Sequence, residues 1–233
     1  MRLVPGTVLT LAVALLVTPL LRAEGQDAAK PVAGGGISVP GWAGKIDANE
    51  EKAGQVLNNS KLAPAGKDLT VMTGPAVTYW NPANKGAGTY TVKATFTEHK
   101  YMALNDHPHP YGIMIAGNDL GTDNQSYLYC SAYGNGTFIV RGMGPAPFAM
   151  GPRKPIPHDA VKKAAGPGQP VTQEIAMTVK ADSVECAING TVVATYPKAE
   201  VVGAGKLKST DGVWGIRFAH NTEATVSGLQ LTK

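Results

Sequence analysis

The stretch VECAINGTVVATY, residues 184–196, has the pattern of a β-hairpin. Apolar residues recur at every second position before and after Asn189-Gly190, so each strand would present one dry face and one wet face. The Asn-Gly pair suits a two-residue type I′ turn, because both central residues of that turn need a positive φ. Asn135-Gly136 stands between two further segments of this kind. The sequence therefore predicts antiparallel strands joined by tight turns.

The same period of two recurs from residue 69 to the end of the chain, for example in 90–97, 126–133 and 175–180. About a dozen short strands separated by turn signals are typical of a sandwich or a barrel. The only helical candidates are short, at 48–57 and 159–165. We favour a two-sheet antiparallel sandwich of the all-β class, because the strands keep consistent dry and wet sides over the whole domain.

The first 23 residues have the pattern of a secretory signal peptide. Arg2 precedes an apolar run over 8–17, and Pro19 and Ala23 follow as a helix breaker and a small residue at the cleavage point. The apolar run is shorter than the ~20 residues that a membrane-spanning helix needs. The sequence thus predicts export to the periplasm or the extracellular space, and no membrane span.

The mature chain is expected to hold one domain. Residues 24–40 are rich in Gly, Ala and Pro and predict a flexible leader, and 41–233 form the sandwich domain. Loss of the first 23 residues removes two arginines and lowers the formal charge from +4 to +2. A charge so nearly balanced does not favour nucleic-acid binding, which needs a concentrated basic face.

Two further features leave alternatives open. Cys130 and Cys186 both lie on the apolar side of predicted strands, which is compatible with a disulfide across the core or with two separate buried thiols. The segment 142–170 is crowded with Gly and Pro and is longer than most connections. It forms either a rim or lid over one face of the sandwich or a tolerated insertion.

Polar and aromatic residues on predicted wet faces are candidates for binding a sugar. Tyrosine rings stack on the apolar faces of sugars, and arginine supplies a fork of donors for hydroxyl or carboxylate groups. Cross-strand packing of surface aromatics is the alternative explanation. The candidate ligand-binding residues are Tyr127, Tyr129, Tyr133, Arg217, His220 and Asn221.

Two groups of residues are candidates for a metal. Asn118, Asp119 and Asp123 bracket a loop after a central strand, and oxygen ligands at this density can hold calcium. These residue types are also common turn formers. His107 and His109 stand two residues apart and would point the same way on an extended chain, as metal ligands can; an exposed, proline-stiffened loop is the alternative.

The sequence resembles the concanavalin A-like sandwich superfamily, which includes lectins, laminin G-like modules and glucanases. The resemblance rests on GIMIAGNDL at 112–120, NQSYLY at 124–129, GNGTF at 134–138 and DGVWGIR at 211–217, and it extends over about 42–233. Within the superfamily the sequence is most similar to bacterial 3-keto-disaccharide hydrolase-like domains. The resemblance implies a jelly roll of two antiparallel sheets, one of them concave.

Three functions are compatible with these features. The Glu-x-Asp-x-x-Glu strand of the retaining glucanases in this superfamily is missing, which favours a secreted, non-catalytic carbohydrate-binding module. The first alternative is a 3-keto-glycoside hydrolase or lyase, which would work by elimination with a metal or histidine. The second is a structural or interaction domain of the cell envelope.

Overall fold

The computed structural model describes residues 28–233, and the predicted signal peptide lies outside the described residues. The regular secondary structure of the described chain is almost entirely β-strand. Their bounds are β1 Gly36–Ile37, β2 Ala43–Ile46, β3 Lys61–Ala65, β4 Asp68–Met72, β5 Val77–Gly86, β6 Tyr90–Glu98, β7 Tyr111–Asn118, β8 Ser126–Tyr133, β9 Thr137–Met143, β10 Pro147–Ala149, β11 Ile156–Pro157, β12 Val171–Val179, β13 Ser183–Ile188, β14 Thr191–Pro197, β15 Gly212–Phe218 and β16 Glu223–Thr232.

The strands form two sheets that pack face to face. The first sheet has the order β1-β3-β4-β16-β6-β12-β13-β14, and the second has the order β10-β9-β8-β7-β15-β5-β2, with β11 also paired to β9. Neighbouring strands are antiparallel except for β1 and β3. The predicted all-β, two-sheet antiparallel sandwich is confirmed.

Helical structure is limited to α1 (Ala48–Lys52), α2 (Lys198–Val201) and a 3-10 turn at Leu57–Asn59. Of the first helical candidate, 48–57, only the first half is an α-helix, whereas the second candidate, 159–165, forms turns without a helix. No helix within the described part of the chain is both long enough and apolar enough to cross a membrane.

The core lies between the two sheets and contains the apolar side of each alternating strand. Phe96 of the first sheet packs against Tyr111 and Phe218 of the second, with ring centres 5.6 and 5.9 Å apart. Cys130 on β8 and Cys186 on β13 form a disulfide that joins the sheets through this core. The first of the two cysteine alternatives is thus the one the structure adopts.

The described part of the predicted leader is ordered against the sandwich. Gly36–Ile37 forms β1 at the edge of the first sheet, and Gly36 N–H donates to the carbonyl of Ser60 at 2.7 Å. The composition of 24–40 did not reveal this strand, because backbone hydrogen bonds to an open edge need no large apolar side chains.

The segment 142–170 also contains regular structure. It runs back along β9 as β10 and β11, and its residue Lys163 forms a bridge with Asn135. Phe148 of β10 lies opposite Gly142 of β9, where a Cβ would come within 2.4 Å of the phenylalanine ring. The missing side chain at 142 makes room for this ring, which packs against the core. The strands β10 and β11 extend the second sheet along the edge of β9 that β8 does not occupy.

Candidate functional site

A cavity of about 490 Å³ lies on the outer face of the second sheet, away from the core. Five of the six predicted ligand-binding residues line it, and so do both histidines of the second metal candidate. Met143, Pro147 and Phe148 border the same cavity, so the segment 142–170 supplies part of its rim.

Small residues in one row across the sheet create room for the cavity. Arg217 on β15 pairs with Gly112 on β7, which pairs with Ser131 on β8. A Cβ at Gly112 would lie 1.9 Å from the carbonyl oxygen of Cys130, so strands β7 and β8 approach too closely for any side chain there. Gly112 and Ser131 carry little or no side chain beside the long side chain of Arg217, so they leave a depression in the surface of the sheet.

The three tyrosines have different roles in this surface. Tyr127 is only 1 % exposed, and its hydroxyl accepts a hydrogen bond from Thr78 at 3.2 Å. It packs beside Tyr129 with ring centres 6.1 Å apart and so supports that ring from below. Tyr129 and Tyr133 are half-buried and keep part of their surface toward the cavity.

Arg217 is a buried cation with a fixed partner. It is 8 % exposed, donates through Nη2 to Asp47 and through Nη1 to Thr78, and lies 5.6 Å from the centre of the Tyr129 ring. Burial lowers the pKa of Arg217, but the charge and hydrogen bond of Asp47 together with Tyr127 and Tyr129 raise it by more, so the pKa lies above its usual value. Arg217 is therefore charged at every physiological pH, and Asp47 neutralises it.

Histidines form one side of the cavity. The Nε2 atoms of His107 and His109 are 2.7 Å apart, and His109 Nδ1 is 2.6 Å from the carbonyl oxygen of His220. His107 Nδ1 lies 2.7 Å from Asp106, and His220 Nδ1 lies 3.5 Å from Glu50. Asn105 Nδ2 also lies 2.8 Å from His109 Nδ1, so the loop before β7 fixes the orientation of this ring beside the cavity.

Comparison with known proteins supports the fold. No family model matches the sequence, and no curated protein matches it. Among solved structures, the carbohydrate binding module CBM66 from Bacillus subtilis superposes with a TM-score of 0.53 at 9 % identity, covering 85 % of this chain and 99 % of that one. A Bacillus subtilis protein with a galectin-like fold has a TM-score of 0.51 at 13 % identity, covering 82 % and 88 %. The chain has the all-β jelly-roll fold of these two structures.

One predicted ligand residue lies outside the cavity of this jelly roll. Asn221 accepts a hydrogen bond from the N–H of Lys30 at 2.7 Å and donates to the carbonyl of Ala28 and to Asn105 Oδ1. It is 4 % exposed, so its polar atoms are used within the protein. Its role is to tie the start of the described chain to the loop before β7, and it is not placed to contact a ligand in the cavity.

The loop after β7 does not gather its oxygen ligands. Asp119 pairs with Lys208, Asp123 pairs with Lys45, and the amide of Asn118 donates to the carbonyls of Ala116 and Asp211. Within residues 28–233 no group of three or more His, Cys, Asp or Glu side chains is arranged to hold a metal ion. The calcium hypothesis for Asn118, Asp119 and Asp123 therefore has no geometric support.

Sequence reasoning missed four polar residues of the cavity region. Ser131 shares the parity of Tyr129 and could have been found from that pattern. Arg141 pairs with Tyr129 because the connection between β8 and β9 takes three residues, 134–136, whereas a two-residue turn at Asn135-Gly136 would have paired Tyr129 with Gly142. Asp47 lines the cavity and Glu50 meets His220 at its edge, but both come from a segment far away in sequence. No local pattern points to those two carboxylates.

Proposed function

We propose that this protein is an exported, non-catalytic carbohydrate-recognition module that binds a saccharide in the cavity on its second sheet. The observation that carries the proposal is the convergence of partly exposed tyrosine rings with arginine and serine donors in one cavity. Rings supply the apolar surface on which a sugar stacks, and the donors fix its hydroxyl groups.

The state of the carboxylates supports binding rather than conventional glycoside hydrolysis. Asp47 is held by Arg217, and Glu50 lies against His220 and within 3.4 Å of the N–H of Ala76. Hydrolysis by two carboxylates needs both groups facing the scissile bond, with one of them available as an acid or nucleophile. The jelly-roll fold, which a carbohydrate binding module also uses, is compatible with this proposal.

Export is the second part of the proposal. The apolar run over 8–17 favours secretion, and the Cys130–Cys186 disulfide is of the kind that persists in oxidising compartments. Fractionation of cells that express the full chain, with N-terminal sequencing of the product, tests both points. A product retained in the cytoplasm with residues 1–23 intact would contradict it.

A glycan array followed by calorimetry tests the binding site. We expect Tyr129→Ala to weaken binding about tenfold or more, because it removes the stacking surface. Tyr129→Phe is the matched control, since it keeps the ring and removes only the hydroxyl, and it should retain most of the affinity. Binding that is unchanged in Tyr129→Ala would remove the proposed site.

A 3-keto-glycoside hydrolase or lyase is the second candidate, favoured by the histidine cluster beside the cavity. Elimination needs a base that takes the proton next to the ketone and an acid that protonates the departing oxygen. The His107–His109 pair and the His220–Glu50 pair offer both kinds of group. Incubation with a 3-keto-disaccharide, with and without chelator, decides the matter. Absence of turnover in both conditions ends this candidate.

A further inference from the structure

We propose that the cavity selects saccharides that carry a carboxylate, and that Arg141 is the group that binds it. This inference rests on the proposed function, because it names the class of sugar that the same cavity would take. It follows from the charges in the cavity, from the placement of Arg141, and from an unpartnered hydroxyl close to it.

The cavity has more positive than negative charge. Its two arginines are Arg141 and Arg217, and Asp47 is the one Asp or Glu that lines it among the described residues. Because Asp47 is paired with Arg217, its charge is already compensated. No carboxylate of the described chain forms an ion pair with Arg141, whose recorded side-chain bond goes to the carbonyl of Arg153 at 2.6 Å.

The bond to Arg153 positions the guanidinium without neutralising it. It uses one of five N–H donors through Nη2, which leaves the remaining donors for a ligand. Burial raises the pKa of Tyr133, and the positive charge of Arg141 lowers it in part. Arg141 also pairs with Tyr129 across β8 and β9, which places it directly beside that residue on the same face of the sheet.

Ser131 supplies a second donor on the cavity floor. It is 1 % exposed, and its Oγ has no hydrogen-bond partner in residues 28–233. In the sheet, Ser131 is paired with Ile139, two positions from Arg141 on the same face. Diagonal neighbours of this kind have Cα atoms about 7–8 Å apart, within reach of an arginine side chain and one ligand group.

A carboxylate fits this pair of residues better than a neutral hydroxyl does. The planar guanidinium donates two parallel hydrogen bonds to a carboxylate, and the serine hydroxyl can donate to a second lone pair on it. A single negative charge also balances the single uncompensated positive charge of the cavity. The half-buried rings of Tyr129 and Tyr133 would then contact the sugar ring that bears the acid.

Matched pairs of sugars that differ in one acidic group test the inference. Calorimetry would compare sialyllactose with lactose, oligogalacturonides with their methyl esters, and hyaluronan oligosaccharides with their carboxyl-reduced forms. We expect the acidic member of at least one pair to bind about tenfold or more tightly than its partner. The preference should shrink as salt rises from 20 to 200 mM, because an ionic contact is screened.

Variants connect that preference with Arg141. Arg141→Gln should lower the affinity for the acidic member about tenfold and leave the neutral member unchanged. Arg141→Lys keeps the charge but loses the planar fork, so it should retain only part of the preference. Lys93→Gln is the matched control: it removes a cation from the outer face of the first sheet and should change neither affinity. Circular dichroism would establish that each variant is folded.

The outcomes separate this inference from the proposed function. Equal affinity within every pair, or a preference that persists in Arg141→Gln, overturns the inference. If such binding still depends on Tyr129, the proposed carbohydrate site stands. If no acidic sugar binds, the inference is wrong, and the glycan array alone decides the proposed function. A preference for sulfated glycans without carboxylates would also overturn it.

Discussion

Replacing Glu98 by glutamine is expected to stabilise the protein above pH 7 and to have little effect at pH 4. Glu98 lies at the end of β6, is 6 % exposed, and accepts one hydrogen bond, from the N–H of Met102 at 3.2 Å. Its Oε2 is buried with no hydrogen-bond partner in the described chain. A buried carboxylate with one unsatisfied oxygen strongly disfavours the charged form.

The magnitude follows from the pKa of this group. Burial raises the pKa of Glu98 from 4.5 to about 7, and the Met102 hydrogen bond offsets part of that rise. Between these two values the folded protein binds more protons than the unfolded chain, so stability falls as the pH rises through that range and then levels off above pH 7. At about 1.36 kcal/mol for each pH unit, the total loss is about 3 kcal/mol.

Glutamine at position 98 keeps an oxygen for the N–H of Met102 and carries no charge at any pH. The free energy of unfolding of the Glu98→Gln variant should therefore exceed that of the wild type by up to about 3 kcal/mol at pH 8. At pH 4 the wild-type side chain is protonated in both states, and the two proteins should differ by less than about 1 kcal/mol.

Urea unfolding at pH 4, 5, 6, 7 and 8, followed by tryptophan fluorescence, measures the difference. Glu51→Gln is the control, because Glu51 is an exposed residue of α1 and its loss should have the same small effect at every pH. A difference between wild type and Glu98→Gln that stays constant from pH 4 to 8 would refute the reasoning. It would mean that the pKa of Glu98 is the same in the folded and the unfolded protein.

Three other substitutions test how the site is supported. Replacing Cys130 and Cys186 by alanine should lower the free energy of unfolding in urea by about 4 kcal/mol, as expected for a disulfide between cysteines 56 residues apart in sequence. An unchanged midpoint of unfolding would mean that the disulfide does not stabilise the protein. Gly112→Ala should destabilise the protein by about 2 kcal/mol or more and weaken ligand binding, because its Cβ would force β7 and β8 apart. Asp47→Asn should cost about 2 kcal/mol by leaving the charge of Arg217 unpaired, whereas Asp47→Asn with Arg217→Met should recover most of that loss. The absence of recovery would show that the pair is not coupled.

Local sequence was enough to predict the class of fold and much of the binding face. Alternation of apolar and polar residues identifies which side of a strand is dry, because successive side chains point to opposite faces. For this reason Tyr129, Tyr133 and Arg217 could be assigned to one wet face before their strands were known to be in the same sheet. The Asn189-Gly190 turn was also predictable, since both of its residues have the positive φ that a type I′ turn requires. At Asn135-Gly136 only Gly136 has a positive φ, so that pair turns the chain between β8 and β9 without the predicted geometry.

The pairing of the sheets decided the rest. His220 meets Glu50 only because the chain that leaves β15 passes beside α1, and nothing near His220 in sequence indicates that neighbour. The edge strand β1 has no side-chain pattern, since its hydrogen bonds come from the backbone. Asn221 looked like a ligand-facing polar residue, but it is used by the segment around Ala28 and Lys30.

The sequence by itself thus determined the strands, their turns and the two faces of each strand, because those depend on neighbours a few residues apart. Only the tertiary structure decided that Cys130 bonds to Cys186, that Asp47 neutralises Arg217, and that Arg141 keeps an uncompensated charge. The physical reason is distance along the chain. Disulfides, ion pairs and cavities join residues from different strands, and the order and register of those strands are set by the packing of the whole core.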